Sequence, residues 1–531
     1  MGMDYFKKKN LVIELFGILF LSILIFCIFG NLLVGDVNMI DEGQFAAWAN
    51  HMLLGKLMYK DIYITYGPLY VYPLYIALKF FGPSAFAVRI YLMLGTLIGI
   101  FVCNLLLQKV AIHKFIRYFT ILLIIILPVM QLRQAIGLLS FYFLTNFITS
   151  KKIKWMFLSG VTNSLALFVS PEIGLFVFCI SFLFMLSNIV IGKPFKHALL
   201  SFLIWIVGIL GICLFFLAWA GEEGWLHRYI EVTFDVLFSF SGVNVPNGMA
   251  FPNLFTSLNG KDTVGRVLKF FFSKESLLYW NLYIYISVFF YFIMRFLLRI
   301  WNKHDTIVFL LTIFGFLYYT ILIGRSGVGH YFFSLSPLFI VLAYFSQMLI
   351  AKVRNRIPLF EKLVIFLTLL FVIGFIARLL LIQRYQLLPK NIFFIEKKVS
   401  LPRTGPLVIS DSQYRLINSM QSFIKLKTKQ KDPIFILSNE PALYMLVDRI
   451  NPTRYDLPFI ANTIEKRYEI VKDLTFAKPK IILEDVSSWP VDGVSNRQRL
   501  PEVIAFIHKN YYSCKSLETI IIYCLNNEQK L

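Results

Sequence analysis

The sequence predicts a polytopic α-helical membrane protein with a small α/β domain at its C-terminal end. Of its 531 residues, 58% are hydrophobic and only 15% are charged, whereas soluble domains contain about 45–50% apolar and about 25% charged residues. Long apolar stretches recur up to about residue 382, and the chain becomes polar from about residue 396. This pattern excludes a soluble globular protein and a disordered chain.

Eleven stretches of the sequence are apolar enough to be membrane spans, which need about 20 residues each. The first, 11–34, follows a basic start and is too long for a signal-peptide core, so we expect it to stay uncleaved. The others lie at 86–108, 115–131, 134–150, 155–170, 172–191, 198–219, 279–300, 306–323, 331–350 and 359–382.

The charges between these spans indicate their orientation. Short cytoplasmic loops are enriched in Lys and Arg, and here the basic residues occupy alternate gaps on the same side as the basic N-terminus. We therefore expect a cytoplasmic N-terminus and an extracytoplasmic location for everything after about residue 383. This topology accounts for much of the net charge of +22, so the expected partner is the lipid bilayer and not a nucleic acid.

We expect two domains, a membrane domain over 1–395 and a soluble extracytoplasmic α/β domain over 396–531. The membrane domain has two external loops, 35–85 and 220–278. The first loop contains two amphipathic segments, suited to helices that lie in the membrane interface; they span 42–56 and 68–81. In the C-terminal domain the pattern predicts strands at 432–439, 478–485 and 518–525, and helices at 410–425, capped by Ser410, and 461–474.

Two adjacent carboxylates, Asp41 and Glu42, follow the first span at the start of an amphipathic segment. One interpretation needs no chemistry, because acidic residues stabilise a helix N-terminus as caps and through the helix dipole. The alternative is that Asp41 is a general base at the membrane surface, activating an acceptor hydroxyl. Asp61, later in the same loop, either positions a substrate or orders the loop.

Four further ionisable residues fall near the ends of predicted spans, where a charge is costly and therefore a functional candidate. Arg325 and His330 lie in a glycine-rich turn whose backbone can approach a phosphate, although an arginine at an interface can also be snorkelling. Glu172 either caps the helix that follows Pro171 or faces the same external cavity as Asp41. Arg89, at the start of the second span, needs an anionic partner if it lies below the interface.

The sequence contains no common nucleotide-binding or hydrolase motif and no Cys/His cluster with metal spacing. We therefore expect no metal and no other cofactor. Cys514 and Cys524 can bridge two strands if the C-terminal domain faces an oxidising compartment, and the sequence leaves that pairing open.

In combination, the motifs of the membrane part resemble those of the GT-C glycosyltransferases. The first loop carries "DEG" at 41–43, "LLGKLMYKD" ending at Asp61, "YGPLYVYPLY", and "FFGPSAFAVR" ending at Arg89; "SPEIG" surrounds Glu172. The nearest groups are those related to glycosyltransferase family 39, the dolichyl-phosphate-mannose protein mannosyltransferases and their bacterial relatives.

The resemblance implies transfer of a hexosyl or pentosyl group, with inversion, from a polyprenyl-phosphate carrier to a glycan, lipid or protein acceptor of the cell envelope. It implies an integral protein of the bacterial plasma membrane that acts on the extracytoplasmic face. Asp41 would be the base, with Glu42 beside it, and Arg325, His330 and Arg89 would neutralise the departing lipid phosphate. Metal dependence varies among GT-C enzymes, and nothing in this sequence indicates a metal.

Two other classes of function remain open from the sequence. A transporter or flippase of lipid-linked glycans would also need a polar cavity, but such proteins usually show internal repeats and sites near the bilayer midplane. Here the ionisable residues gather at one membrane face, which favours surface chemistry. A glycan polymerase or ligase would also act on the external face. Loss of activity on mutation of a carboxylate in the first loop would distinguish the transferase from these enzymes.

Overall fold

The structure is a computed structural model that describes residues 17–23, 33–110, 113–127, 129–190, 195–239, 266, 274–324, 331–332, 334–354, 373–374, 377, 401–430 and 432–526. The chain divides into two compact units that do not follow chain order. One unit comprises Met1–Gly30, Leu94–Phe215 and Met249–Leu388, and the other comprises Asn31–Met93, Phe216–Gly248 and Pro389–Leu531. The sequence-based boundary at 395 follows the change in composition, whereas this division follows contacts, which join the first external loop to the C-terminal residues.

The described secondary structure, in chain order, consists of α1 (Asp41–Leu53), α2 (Pro68–Phe81), α3 (Ala85–Lys109), α4 (Lys114–Ile126), α5 (Leu132–Ser150), α6 (Lys154–Val169), α7 (Pro171–Val190), α8 (Phe195–Glu222), α9 (Leu226–Phe234), α10 (Lys274–Leu297), α11 (Lys303–Gly324), α12 (Leu335–Arg354), α13 (Asp411–Lys427), β1 (Ile434–Ile436), α14 (Ala442–Leu446), α15 (Ile464–Ala477), β2 (Ile481–Asp485), α16 (Asn496–Arg499), α17 (Pro501–Asn510), β3 (Tyr511–Leu517) and β4 (Ile520–Leu525). A π-helical turn, Asp235–Ser239, extends α9.

Within the described residues, five helices are long and apolar enough to cross a membrane: α3, α7, α8, α10 and α11. Helices α3 to α8 and α10 to α12 coincide with nine of the predicted spans. The first and last predicted spans, 11–34 and 359–382, lie mostly outside the described residues, so the total of eleven stays a prediction. These helices make the protein an integral membrane protein.

Small residues allow two helices of the first unit to pack closely. A Cβ atom on Gly160 of α6 would lie 2.2 Å from the carbonyl oxygen of Trp205 in α8. The same atom on Gly208 of α8 would lie 2.6 Å from the carbonyl oxygen of Phe157 in α6. Membrane helices use such small residues because lipid supplies no hydrophobic driving force, so that close backbone packing must hold the helices together.

A buried carboxylate ties together three helices of the first unit. Asp305, at the start of α11, accepts hydrogen bonds from Arg295 of α10 at 2.9 and 3.1 Å and from the Tyr344 hydroxyl of α12 at 2.9 Å. Its side chain is fully buried. Because the guanidinium and the hydroxyl satisfy its oxygens, the ion pair can persist at this depth.

The C-terminal residues of the second unit form a four-stranded sheet in the order β1-β2-β4-β3. Strands β1 and β2 are parallel, whereas β4 is antiparallel to both of its neighbours. The three predicted strands and two predicted helices of this region are confirmed, as is the cap, since the Ser410 hydroxyl accepts a hydrogen bond from the Gln413 N–H at 3.2 Å. Strand β3 was not predicted.

Cys514 and Cys524 form a disulfide between β3 and β4, with their Cα atoms 5.7 Å apart. The register of the two strands shifts between Ser513 and Lys515, so Cys514 is the extra residue of a β-bulge. Removing this short cross-link with the double variant Cys514→Ser/Cys524→Ser should lower the free energy of unfolding by about 2–3 kcal/mol. Thermal denaturation checks this, and wild type treated with dithiothreitol should match the variant. A wild type unaffected by reductant would contradict the prediction.

Glu440, which follows β1, makes the stability depend on pH. Burial raises its pKa to about 7, opposed by the hydroxyls of Ser438 and Ser488 and assisted by Asp485. Since the folded pKa lies above the unfolded value, stability falls as pH rises from about 4.5 through 7. Glu440→Gln should therefore stabilise the protein by about 2–3 kcal/mol more at pH 8 than at pH 5.

Thermal denaturation at both pH values, in the same detergent, checks this expectation. The control is Glu518→Gln, because Glu518 is an exposed carboxyl in the β3–β4 turn. Equal shifts of the Glu440 variant at the two pH values would contradict the assignment.

Candidate functional site

The two adjacent carboxylates of the first loop have different surroundings. Asn38 stabilises the turn that leads into α1, because its Oδ1 accepts hydrogen bonds from the N–H groups of Ile40 and Asp41 at 3.0 and 2.9 Å. Asp41 is exposed in the first turn, whereas Glu42 is buried. The Asn38 side chain therefore fixes the helix start, and Asp41 presents its side chain at the surface of the second unit.

Glu42 pairs with Arg89, the cation at the start of α3. Arg89 Nε donates to Glu42 Oε1 at 2.8 Å and Nη2 donates to Oε2 at 3.2 Å, which makes the contact bidentate. The same guanidinium donates to the backbone carbonyls of Gly35 and Asp36 at 3.3 and 2.7 Å. Arg89 thus has the anionic partner that its position demands, and it fixes the segment that leads into α1.

Burial and the neighbouring charge shift the pKa of Glu42 in opposite directions. Desolvation raises the pKa of this carboxyl, while Arg89 and the N–H of Asn38 lower it, and burial is the larger effect. The Asn38 N–H donates to Glu42 Oε2 at 3.2 Å. Glu42 is consequently held by three donor groups inside the protein, which suits a positioning carboxylate better than one that exchanges protons with a substrate.

C-terminal residues hold the segment before α1 in place. Gly35 N–H donates to the Val408 carbonyl at 2.8 Å, and Val37 exchanges two hydrogen bonds with the Gln413 side chain at 2.8 and 3.0 Å. The Asp36 carboxylate accepts from the backbone and the hydroxyl of Ser410 at 2.7 and 2.9 Å. The position of the acidic motif therefore depends on the start of α13, some 370 residues later in the chain.

A second set of contacts joins the middle and end of α1 to the C-terminal residues. A Cβ atom on Gly43 would lie 2.5 Å from the backbone nitrogen of Ala442, so α1 and α14 touch without room for a side chain. Further along, His51 Nε2 lies 3.0 Å from Asp456 Oδ1, and both side chains are buried. Lys56 lies near the same carboxylate: burial lowers the pKa of Lys56, and the charges of Asp456 and Asp61 oppose that shift.

An aromatic and ionic cluster extends this contact to the second external loop. Tyr63 stacks on Tyr455 with ring centroids 5.3 Å apart, and the Arg454 guanidinium lies 5.3 Å from the centre of the Tyr63 ring. The Tyr63 hydroxyl donates to Asp235 at 2.9 Å, in the π-helical turn, and Lys466 pairs with the same carboxylate at 2.8 Å. Sequence reasoning missed this cluster and the His51–Asp456 pair.

The remaining predicted site residues are placed as follows. Asp61 is half-buried, and its Oδ2 accepts from the Leu57 N–H at 2.9 Å, so it orders the first loop. Glu172 is in the first turn of α7, in the other unit, where Ser170 Oγ donates to its Oε2 at 2.9 Å. Arg325 and His330 lie outside the described residues. The described residues hold no group of three or more His, Cys, Asp or Glu side chains arranged to bind a metal.

The fold is that of the GT-C membrane glycosyltransferases. Two structures of ArnT from Cupriavidus metallidurans carry this likeness, one in the apo state, with a TM-score of 0.51, and one bound to undecaprenyl phosphate, with a TM-score of 0.50. Each is 12% identical to this sequence and matches over 97% of this chain and 98% of ArnT.

The archaeal oligosaccharyltransferase AglB from Archaeoglobus fulgidus, in complex with an inhibitory peptide and a dolichol-phosphate, also matches, with a TM-score of 0.49 and 14% identity over 93% of this chain and 71% of AglB. No model of a protein family matches the sequence, and no curated protein matches it. The ArnT comparison confirms the GT-C-like fold that the sequence resemblance implies, whereas the number of spans and the extracytoplasmic C-terminal domain stay predictions.

Proposed function

We propose that the protein is a membrane glycosyltransferase that moves a sugar from a polyprenyl-phosphate carrier to an acceptor at the extracytoplasmic face, with inversion at the anomeric carbon. The observation that carries the proposal is the fold, shared with ArnT over nearly the whole length of both chains. One of the two ArnT structures holds undecaprenyl phosphate. A carrier lipid of that class suits a protein whose helices cross the membrane.

Asp41 is the proposed base. Its carboxylate takes the proton of an acceptor hydroxyl as the hydroxyl oxygen forms a bond to the anomeric carbon. The bond between that carbon and the phosphate oxygen breaks on the opposite face, and the electron pair leaves with the polyprenyl phosphate. Exposure of Asp41 in the first turn of α1 gives an acceptor access to it, and the buried pair of Glu42 and Arg89 supports this role by fixing the helix start.

The leaving phosphate needs positive charge. We assign Arg325 and His330 to the phosphate, since a guanidinium and an imidazole can both donate hydrogen bonds to it. Arg89 is the third candidate for the phosphate, but its guanidinium is already bound to Glu42 and to the carbonyls of Gly35 and Asp36, so we expect its main task to be to position the segment before α1. Asp61 and Glu172 are proposed to position the substrates, Asp61 through the order that it gives to the first loop.

The proposed location is the bacterial plasma membrane, with a cytoplasmic N-terminus and an extracytoplasmic C-terminal domain. The disulfide between Cys514 and Cys524 supports this orientation, because disulfides persist in oxidising compartments. The transferred sugar is proposed to be a hexose or pentose, and the proposal requires no metal or other cofactor.

A transporter or flippase of lipid-linked glycans, and a polymerase or ligase, are the alternatives. The contacts of the first loop with C-terminal residues favour a transferase, because they fix a surface carboxylate and leave the loop little freedom to gate a passage. Loss of sugar transfer on mutation of Asp41 would distinguish the transferase from the polymerase or ligase.

Donor binding is the first test. Native mass spectrometry of the detergent-purified protein should show a bound polyprenyl-phosphate sugar, and Arg325→Ala should weaken its binding by at least about tenfold, as expected for a lost charge-assisted contact. Arg299→Ala is the matched control, because Arg299 is an exposed arginine in the turn between α10 and α11, at the end of the predicted span 279–300 that faces the cytoplasm in the expected topology. If no such lipid binds, or if both variants bind it like wild type, the phosphate assignment fails.

A further inference from the structure

A small cleft opens in the C-terminal residues at the carboxyl ends of β1 and β2. The two strands are parallel neighbours, and both line the cleft at their carboxyl ends, through residues 437–439 just after β1 and residues 484–486 at the end of β2. Ligands of open α/β sheets bind outside the carboxyl ends of parallel strands. The cleft has a volume of about 240 Å³, below the ~300–1,000 Å³ of sites for drug-sized ligands, so it suits one ring-sized group.

Interlocked amide groups build one wall of the cleft. Asn439 is buried, and its Oδ1 accepts from Asn496 Nδ2 at 2.9 Å while its own Nδ2 donates to the Trp489 carbonyl at 3.3 Å. The Asn439 N–H donates to Ser488 Oγ at 3.1 Å, and Asn496 Nδ2 also donates to the Leu437 carbonyl at 2.7 Å. These bonds fix the wall before any ligand arrives, which lowers the entropic cost of binding.

A buried hydrogen-bond acceptor of the lining is not satisfied. Among the described residues, Oδ1 of Asn496, which lines the cleft, has no hydrogen-bond partner although the atom is buried. Buried acceptors without donors are unfavourable, so the site favours a ligand that brings O–H or N–H groups.

The charges around the cleft argue against an anionic ligand. Glu484 and Asp485 line it, and Arg497 is the only cation among its lining residues. Arg497 is already bound to Glu484, with Nε to Oε1 at 2.5 Å and Nη2 to Oε2 at 2.7 Å. A phosphate or carboxylate would lie beside carboxylates and a guanidinium that is already paired with Glu484. A neutral molecule rich in hydroxyl groups could instead donate hydrogen bonds to the acceptors of the cleft.

Trp489 adds a flat apolar surface at the same cleft. The residue is 53% exposed, so part of its surface is available to a ligand. The face of an indole ring is electron-rich, and the C–H groups on one face of a pyranose ring are electron-poor and apolar, so the two surfaces can stack. The hydroxyls at the ring edge are then free to bond the amide wall.

We propose that the cleft lined by Asn439, Trp489 and Asn496 binds a single neutral pyranose ring, a saccharide unit of the acceptor. The binding of a sugar is independent of the enzymatic activity, but its assignment to the acceptor rests on the proposed function. The C-terminal residues would then both brace the acidic motif and hold the molecule that receives the sugar.

Saturation-transfer NMR on the detergent-purified full chain tests the proposal, with methyl pyranosides of neutral hexoses and N-acetylhexosamines as probes. At least one should bind to wild type. Trp489→Ala should weaken that binding by about five- to tenfold, and Trp489→Phe should retain most of it. The control is Tyr468→Ala, which removes a similarly exposed aromatic ring from α15, outside the cleft.

The outcomes separate this proposal from the proposed function. If no probe binds, or if Trp489→Ala binds the probes like wild type, the sugar site is overturned. If a pyranoside binds through Trp489 but native mass spectrometry finds no polyprenyl-phosphate sugar, the cleft stands and the transferase assignment fails. If the donor binds and no pyranoside does, only the cleft assignment fails.

Discussion

Asp41→Asn is expected to lower the rate of sugar transfer by about 10²–10⁴-fold, the usual contribution of a general base. The amide keeps the shape of the side chain but cannot accept the proton of an acceptor hydroxyl. Because the Asp41 side chain is exposed and the Asn38 side chain holds the backbone N–H of residue 41, the variant should fold like wild type and bind the donor equally well. Release of polyprenyl phosphate, measured by mass spectrometry with membrane extract as the source of acceptor, checks the rate.

The matched control for this experiment is Asp411→Asn. Asp411 is also an exposed aspartate in the first turn of a helix, α13, so its replacement tests whether loss of one negative charge at a helix start is enough to change the rate. We expect wild-type transfer from it. An Asp41→Asn enzyme within about tenfold of wild type would remove Asp41 from the role of base, and the polymerase, ligase or transporter alternatives would then gain.

The sequence was sufficient to predict most of the helices and three of the four strands. Long apolar runs report burial in lipid or protein directly, which is why nine predicted spans coincide with helices in the described part of the chain. Strand β3 was missed because Tyr511–Leu517 is polar and largely exposed. Its turn also lacks the usual glycine or asparagine signal of a hairpin, and Glu518 adopts the left-handed conformation instead, with φ of 51°.

The support of the candidate site could not be predicted from local patterns. His51 and Asp456 are 405 residues apart in the chain, and Asp36 and Ser410 are 374 apart. Periodicity reports which face of a helix is buried, but not what covers it. The adjacent residues Asp41 and Glu42 illustrate the same limit, because only the fold reveals that one is exposed and the other is enclosed with Arg89.

Breaking the pair of Glu42 and Arg89 should destabilise the protein by about 3–5 kcal/mol, because each single change removes the oppositely charged partner of a buried group. The two side chains are only 8% and 10% exposed, so water cannot replace the lost contact. Glu42→Gln and Arg89→Met should therefore each lower the thermal midpoint strongly. The double variant should lose less than the sum of the two, since it removes both charges at once.

Measurement of donor binding in the same variants separates the two roles available to Arg89. If Arg89 mainly holds the segment before α1, Arg89→Met should bind the donor like wild type when affinity is measured at a temperature below the variant's lowered thermal midpoint, where the protein is folded. If Arg89 mainly binds phosphate, Arg89→Met should have a lower affinity for the donor, whereas Glu42→Gln should keep the wild-type affinity. Strictly additive destabilisation in the double variant would contradict the pairing itself. The contacts of Arg89 with Glu42 and with the carbonyls of Gly35 and Asp36 favour the first outcome, because they already engage Nε and both terminal nitrogens of the guanidinium.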